Sequence, residues 1–332
     1  ELSLGLVGSE MCIRDRMKIA DKARRADRPV VQTSPKSMTS IRHDFVPPRP
    51  PDLLPHALSN YDLEKIFPYI NPQMLYVRHL GFKGRFRDAL EAGDKSAKKL
   101  RDSVRVVEDI MLSDPNIAAN AVYKFFPCNS EGQELLIYGP DHQTVRYKFR
   151  FGRQSQRDGL SLADYVRPKN LGEIDYVGAF VTTIGPGIRE LAEKWKDRGD
   201  YLLSHILQSL ALEGAEAFAE RLHEEMRRMW GFGSTKATSF DDLFRTQYRG
   251  RRYSFGYPAC PRLEDQQQLF EMLDVTTTIG VELTDGFMMD PEGSVSALVF
   301  HHPEAKYFNL SESDIEQLEE EIRISIPTND VP

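Results

Sequence analysis

The sequence predicts an α+β fold, in which helices pack against an antiparallel sheet, for most of its 332 residues. Helical and strand patterns come in clusters and lack the regular strand–helix–strand alternation of a doubly wound parallel sheet. Hydrophobic residues make up 40% of the chain and charged residues 28%, which is typical of a soluble globular protein. No run approaches the roughly 18 consecutive apolar residues that a membrane-spanning helix needs, so the sequence predicts no membrane role.

The first 55 residues are predicted to lie outside the folded domain. Residues 1–16 begin without methionine and resemble translated sequencing-adapter read-through, so we expect an artefact or else a natural disordered terminus. Residues 17–55 carry charges without apolar periodicity and end in closely spaced prolines, a composition that predicts a disordered linker. We expect the domain to occupy residues 56–325.

Helices precede strands in the first half of this domain. Short helical patterns at 61–69, 73–80 and 83–91 lead into a longer helix predicted at 95–113. That helix has one apolar stripe, formed by Leu100, Val104, Val107 and Met111.

Four strands are predicted next, at 121–126, 134–138, 144–151 and 174–184. Aromatic and basic side chains alternate in the third of them. Because alternate side chains of a strand point to opposite faces, these rings and charges cannot jointly hold a nucleic-acid base. We therefore interpret this segment as a half-buried antiparallel strand.

A long helix dominates the middle of the chain. It follows a tight glycine turn at 185–187, which lacks phosphate-loop spacing, and a shorter helix to about residue 198. The long helix is predicted at 201–230 and ends at Gly231. Its two apolar stripes lie on nearly opposite sides, which predicts burial on two faces. Glu216 lies beside the second stripe, and periodicity alone favours a solvated side chain there.

The remaining elements alternate between short helices and strands. We expect a short helix near 238–247, a helix at 262–273, strands at 279–283 and 294–302, and a helix from about residue 311.

Charge and cysteine content argue against several functional classes. The formal net charge is −7, and the acidic body of the chain argues against a nucleic-acid-binding surface. The three cysteines, Cys12, Cys128 and Cys260, are too few and too widely spaced for a disulfide framework, and they fit a reducing cytoplasm. No motif predicts a metal centre or a catalytic dyad.

The segment Tyr248–Pro261 carries the most specific chemistry. Its glycines permit positive φ and its prolines fix the chain, so we expect an ordered, non-repetitive loop. Arg251, Arg252 and the tyrosines suit a small ligand with a carboxylate and a flat ring, because arginine offers forked donors and tyrosine a stacking face. Composition alone equally favours a purely structural loop.

Five segments together carry a family resemblance: YRGRRYSFGYPACP at 248–261, SVSALVFHHPEAKYF at 294–308, INPQMLYVRHLGFKG at 70–84, DYVGAF at 175–180 and AEAFAERLHEEMRRMW at 215–230. With these segments the chain resembles the C-terminal activation domain of cobalamin-dependent methionine synthase. The resemblance implies a single C-shaped α+β domain with a twisted antiparallel sheet and flanking helices. It further implies that the domain holds S-adenosylmethionine in a shallow groove.

The resemblance also implies a reaction and its partners. Flavodoxin or another reductase donates an electron to inactive cob(II)alamin, and S-adenosylmethionine bound to this domain remethylates the cobalt. The cobalamin is carried by a partner module on which the domain docks. The implied function is reductive reactivation of methionine synthase, and neither nucleic acid nor membrane is an expected partner.

Several modules of that enzyme are not found in the sequence. The D-x-H-x-x-G cobalamin motif, the zinc-binding cysteines and the folate barrel are missing. We therefore expect methyltransferase turnover only as part of methionine synthase, with this chain either the tail of a truncated gene or a freestanding subunit. The alternative function is a noncatalytic S-adenosylmethionine-binding or docking module for another corrinoid protein.

The resemblance implies eight ligand-binding residues: Asn71, Glu216, Arg252, Ser254, Gly256, Tyr257, Tyr307 and Phe308. Arg252 is implied to hold the methionyl carboxylate, the loop from Ser254 to Tyr257 to line the adenosyl pocket, and Tyr307 to close the site. Asn71 stands where some members have Asp for the ligand ammonium, which keeps an acceptor but removes a charge. The retained arginine and tyrosines argue against a domain that has lost its ligand. The side chain of Arg251 is expected to point elsewhere.

Overall fold

A seven-stranded antiparallel sheet forms the centre of the domain in the computed structural model, which describes residues 41–233, 240, 243 and 246–325. Its strands are β1 (His56–Leu58), β2 (Asn120–Glu131), β3 (Glu134–Tyr138), β4 (Val145–Arg150), β5 (Asp175–Thr183), β6 (Arg251–Tyr253) and β9 (Ser294–Phe300). Strands β7 (Glu282–Leu283) and β8 (Met289–Asp290) form a separate hairpin. The order in the sheet is β4–β3–β2–β5–β9–β6, with β1 beside β2. Strand β6 therefore lies at an edge.

Helices of very different lengths surround the sheet. The α-helices are α1 (Phe86–Glu91), α2 (Lys95–Ser113), α3 (Ile188–Asp197), α4 (Tyr201–Met229), α5 (Gln266–Leu273), α6 (Val275–Ile279) and α7 (Glu312–Ser325). Single 3₁₀ turns occur at Leu63–Lys65, Phe67–Tyr69, Leu162–Tyr165 and Lys169–Leu171, and Gln73–His79 is a π-helix. Within the described residues, no helix combines the length and apolar character needed to cross a membrane.

Both faces of the sheet are covered, and β5 shows how the sequence achieves this. All nine residues of β5 are buried. Because alternate side chains point to opposite faces, Tyr176 and Phe180 join the core beneath α4, whereas Val177 and Val181 join the core beneath α5 and α6. Burial on both faces explains why this strand reads as a nearly continuous apolar run.

Apolar periodicity predicted the two long helices well, whereas the longest strand, β2, extends five residues beyond its predicted end at residue 126. Helix α2 has the predicted bounds, and Val104, Val107 and Met111 of its predicted stripe are buried. Helix α4 spans Tyr201–Met229 against the predicted 201–230, and Gly231 follows it with a φ of +84°. The mixed arrangement of helices and an antiparallel sheet confirms the predicted α+β class.

Short elements were less predictable. The segment from residue 279 was predicted as a strand, but Val275–Ile279 forms helix α6 and only Glu282–Leu283 pairs as β7. Helix α6 begins and ends at residues in the left-handed conformation, Asp274 at φ +48° and Gly280 at φ +69°. With only five residues between them, the helix is too short to produce a recognisable helical pattern of apolar residues. The short helix predicted near 238–247 lies largely outside the described residues.

Residues 41–55, here called the arm, pack on the domain through their backbone. The buried guanidinium of Arg167 donates hydrogen bonds to the carbonyl oxygens of His43, at 2.7 Å, and Phe45, at 3.0 Å. The indole N–H of Trp230 donates to the carbonyl of Pro48 at 2.8 Å. The arm forms no helix or strand, yet side chains distant in sequence hold it in place.

The prediction of a disordered linker up to residue 55 is therefore wrong for the arm. Pro47 is buried, and the ring of Phe45 packs edge-on against those of His301 and His302, with centroids 5.9 and 5.0 Å apart. Prolines bring carbonyl acceptors without N–H donors, so such a segment can be buried when the domain supplies the donors. The predicted artefact at 1–16 and the linker up to residue 40 lie outside the described residues.

Candidate functional site

One face of α4 carries a row of four glutamates, Glu213, Glu216, Glu220 and Glu224, here called the glutamate row. The spacings of three and four residues place these side chains above one another along the helix. Their side chains are only 6%, 31%, 12% and 29% exposed, respectively. Carboxylates with so little solvent require nearby donors or cations.

Arg252 supplies the cation for the middle of this row. It extends from edge strand β6, and its Nη1 donates a hydrogen bond to Oε2 of Glu220. Its Nη2 lies 3.9 Å from Oε2 of Glu216. Burial alone lowers the pKa of Arg252, but the acidic groups around it, with Glu220 foremost, together outweigh burial and hold the pKa well above its ordinary value. Arg252 is therefore a permanently charged, mostly buried guanidinium.

Tyr248 supports the same pair from behind. Its hydroxyl donates to Oε2 of Glu220 at 3.3 Å, and the guanidinium carbon of Arg227 lies 3.7 Å from its ring centroid. Burial, followed by the charge of Glu220, raises the pKa of Tyr248. Next to this ring lies the fully buried His223, and neither of its ring nitrogens has a hydrogen-bond partner among the described residues. Burial lowers the pKa of His223 well below its usual value, so the imidazole is neutral.

Residues 248–261, here called the ligand loop, form a stiff turn next to Glu216. The hydroxyl of Tyr257 donates to Oε1 of Glu216 at 3.1 Å. The amide of Gly256 donates to the carbonyl of Cys260 at 2.8 Å. A left-handed φ of +81° at Gly256, together with Leu263 2.8 Å from where a Cβ would lie, requires glycine at this position.

The two predicted residues of the H-P-E-A-K-Y-F motif occupy different environments. Tyr307 is 50% exposed and meets Tyr253 edge-on, with ring centroids 5.5 Å apart. The guanidinium of Arg251 lies 5.8 Å from the centroid of the Tyr307 ring, so the Arg251 side chain reaches the site instead of pointing elsewhere. Phe308 is buried in the core on the sheet face covered by α5 and α6.

Asn71 lies on residues 69–79, a segment that contacts the glutamate row of α4. Two contacts fix this segment: the hydroxyl of Tyr69 donates to Glu224 at 2.5 Å, and His79 lies 2.8 Å from Glu213. Asn71 therefore lies between two anchors on the glutamate row. Its Oδ1 accepts the amide N–H of Gln73, the first residue of the π-helix, at 3.0 Å.

The structure thus connects Glu216, Arg252 and Tyr257 directly, and it places Ser254 and Gly256 in the same loop. Sequence reasoning missed Glu220 and Tyr248. Glu216 and Glu220 lie one turn apart on a helix that is otherwise apolar on two faces, and this spacing could have indicated Glu220. A buried carboxylate needs a cation, so such a pair predicts a basic partner.

These features define a candidate binding site for a small polar ligand at the edge of the sheet. It combines one arginine fork, aromatic rings and a row of negative charge, so it suits a ligand that carries a carboxylate, a flat ring and positive charge. Within the described part of the chain, no group of three or more His, Cys, Asp or Glu side chains is placed to hold a metal ion.

Comparison with known proteins identifies the family. Residues 62–323 match the model of the vitamin B12 dependent methionine synthase activation domain, and the chain belongs to this family. The resemblance inferred from the sequence is thereby confirmed.

Two relatives show how far the similarity extends. Methionine synthase of Mycobacterium tuberculosis is 30% identical over 311 residues, which cover 88% of this chain but 25% of that protein. The chain therefore spans about a quarter of that relative's length. The crystal structure of the MetH reactivation domain bound to AdoHcy is 29% identical, with a TM-score of 0.77, and the match covers 84% of this chain and 89% of that one.

Proposed function

We propose that this chain binds S-adenosylmethionine between α4 and the ligand loop and acts as the reactivation domain of a methionine synthase. The observation that carries the proposal is the similarity to a reactivation domain bound to AdoHcy, the demethylated form of this ligand, combined with the contacts around Arg252. The eight residues implied by the sequence resemblance remain the proposed ligand-binding set, with Phe308 supporting it from the core.

The residues of the site fit the chemical groups of this ligand. The fork of Arg252 would bind the carboxylate through paired N–H···O hydrogen bonds. Glu216 carries negative charge close to Arg252 and Tyr257, which favours a ligand with a positively charged sulfonium and ammonium. The rings of Tyr257 and Tyr307 offer faces for the adenine. The Oδ1 of Asn71 already accepts the amide N–H of Gln73. Asn71 would therefore bind the ligand ammonium more weakly than a carboxylate at the same position would.

The proposed reaction transfers the ligand's methyl group to cobalamin carried by a partner module. One electron from flavodoxin or another reductase converts cob(II)alamin to cob(I)alamin, the methyl–sulfur bond breaks, a methyl–cobalt bond forms and S-adenosylhomocysteine remains. The chain's own residues bind and orient the donor, and we assign no catalytic residue among them. Homocysteine methylation itself would require the rest of methionine synthase.

The proposal is tested in two stages. Isothermal titration of the purified chain with S-adenosylmethionine should show saturable binding. The chain is then added to a cobalamin-binding module in the cob(II)alamin state with a reductase, and absorbance should show methylcobalamin only when both the chain and S-adenosylmethionine are present. A folded chain that binds no S-adenosylmethionine would contradict the proposal, as would methylcobalamin formation that is independent of the chain.

A further inference from the structure

Glu220 and Tyr248 contact Arg252 or its partner but are not among the eight proposed ligand-binding residues. Oε2 of Glu220 accepts from both Nη1 of Arg252 and the hydroxyl of Tyr248, the latter at 3.3 Å. The Glu220 side chain is 12% exposed and stands on the 29-residue helix α4. It is therefore a rigid acceptor.

This contact leaves part of the arginine fork available. A guanidinium has five N–H donors, and Glu220 engages Nη1. Nη2 lies 3.9 Å from Glu216, which exceeds hydrogen-bond length. Arg252 is thus held at one corner while another corner can receive the carboxylate of a ligand.

Holding the arginine has an energetic consequence. A free arginine side chain loses much rotamer freedom when it is fixed against a ligand, and prior fixation removes that cost from binding. The stack of Arg227 on the Tyr248 ring, at 3.7 Å, fixes the tyrosine in turn. A continuous series of contacts therefore runs from Arg227 through Tyr248 and Glu220 to Arg252.

We propose that Glu220 and Tyr248 are positioning residues that hold Arg252 ready for the carboxylate of the ligand. This inference rests on the proposed function, because it assumes that S-adenosylmethionine is the ligand. It assigns to both residues an effect on the amino-acid end of the ligand and none on its adenosine end.

The test compares two ligands that differ in that end. Calorimetry measures the dissociation constants of S-adenosylmethionine and of 5′-methylthioadenosine for the full chain and its variants. The second ligand lacks the amino-acid end and also the sulfonium charge, so Tyr248→Phe, which removes no charge, reports on the amino-acid end alone. Glu220→Gln should weaken S-adenosylmethionine binding by about tenfold, since a charge-assisted contact is lost. Tyr248→Phe, which keeps the ring and its stack, should weaken it by about threefold. Binding of 5′-methylthioadenosine should stay within about twofold in both variants.

The same helix offers a matched control. Glu225 accepts from the hydroxyl of Tyr61 at 3.0 Å and lies 2.7 Å from Nη2 of Arg221, an arrangement like that of Glu220 but without Arg252. Glu225→Gln and Tyr61→Phe should leave the affinities for both ligands unchanged.

Three results would overturn the inference. Tighter S-adenosylmethionine binding by Glu220→Gln would show that Glu220 competes with the ligand carboxylate. If a variant bound both ligands more weakly by the same factor, the residue would have a merely structural role. Unchanged affinities in Tyr248→Phe would show the same. If Glu220→Gln does not fold, the result for Tyr248→Phe alone decides. A wild-type chain that binds neither ligand would instead refute the proposed function on which the inference depends.

Discussion

Replacement of Arg252 by lysine separates the contact with Glu220 from the proposed role of this side chain in binding the ligand carboxylate. Lysine keeps a positive charge for Glu220, whose side chain is 12% exposed, so the fold should be preserved. It cannot reproduce the fork, because an ammonium is a single point donor. Loss of one hydrogen bond to a charged group, worth about 1.5–3 kcal/mol, corresponds to roughly 10- to 150-fold in affinity. Arg252→Lys should therefore bind S-adenosylmethionine at least about tenfold more weakly at unchanged melting temperature.

Arg252→Ala should weaken binding and also destabilise the fold. It leaves the Glu220 carboxylate without its cation, which we expect to cost about 1–3 kcal/mol because that side chain keeps some access to water. A melting curve of the alanine variant checks this second effect.

The control for these variants is Arg262→Lys. The Arg262 side chain has the same exposure as that of Arg252, 15%, and pairs with Glu319 at 2.6 Å, away from the glutamate row. Arg251 is unsuitable as a control because it approaches the Tyr307 ring. If the dissociation constant of Arg252→Lys for S-adenosylmethionine lay within about twofold of the wild-type value, Arg252 would not be the residue that binds the carboxylate.

Three further predictions concern charge, pH and the arm. Glu216→Gln should reduce the preference for S-adenosylmethionine over S-adenosylhomocysteine, which lacks the sulfonium charge, by about three- to tenfold. The preference is measured as the ratio of the two dissociation constants, and an unchanged ratio would contradict this prediction. Burial lowers the pKa of His302 to about 4 from an ordinary 6.5, so the unfolded chain takes up the proton first, and stability should fall as the pH drops from about 6.5 towards 4. The free energy of unfolding, measured by denaturation at several pH values, should depend less on pH in His302→Gln than in the wild type. Limited proteolysis should leave the arm attached to the stable core, and a core that begins near residue 56 would show that the arm is not held in solution.

The sequence predicted those parts of the fold that local periodicity determines. Helix α2 and strand β3 have the expected bounds because a regular pattern of apolar residues fixes both the type of element and its buried face. The family motifs likewise indicated Arg252 and Tyr257, which the structure joins through Glu216.

What the sequence did not predict depends on partners far apart in the chain. The arm reads as a linker because its donors are the side chains of Arg167 and Trp230, more than a hundred residues away. Glu220 reads as a surface residue of a helix until β6 brings Arg252 against it. Periodicity contains no information about such pairs, since it reports only which face of an element is buried.

The way the arm is held determines where any preceding chain enters this domain. Hydrogen bonds to carbonyl oxygens recognise the course of the backbone and not the identity of the side chains. The entry point is therefore fixed by Arg167 and Trp230, whatever residues precede it. That point adjoins the site, because the guanidinium carbon of Arg249, in the ligand loop, lies 5.8 Å from the centroid of the Phe45 ring. The arm and the loop that would contact the ligand thus lie side by side on the domain.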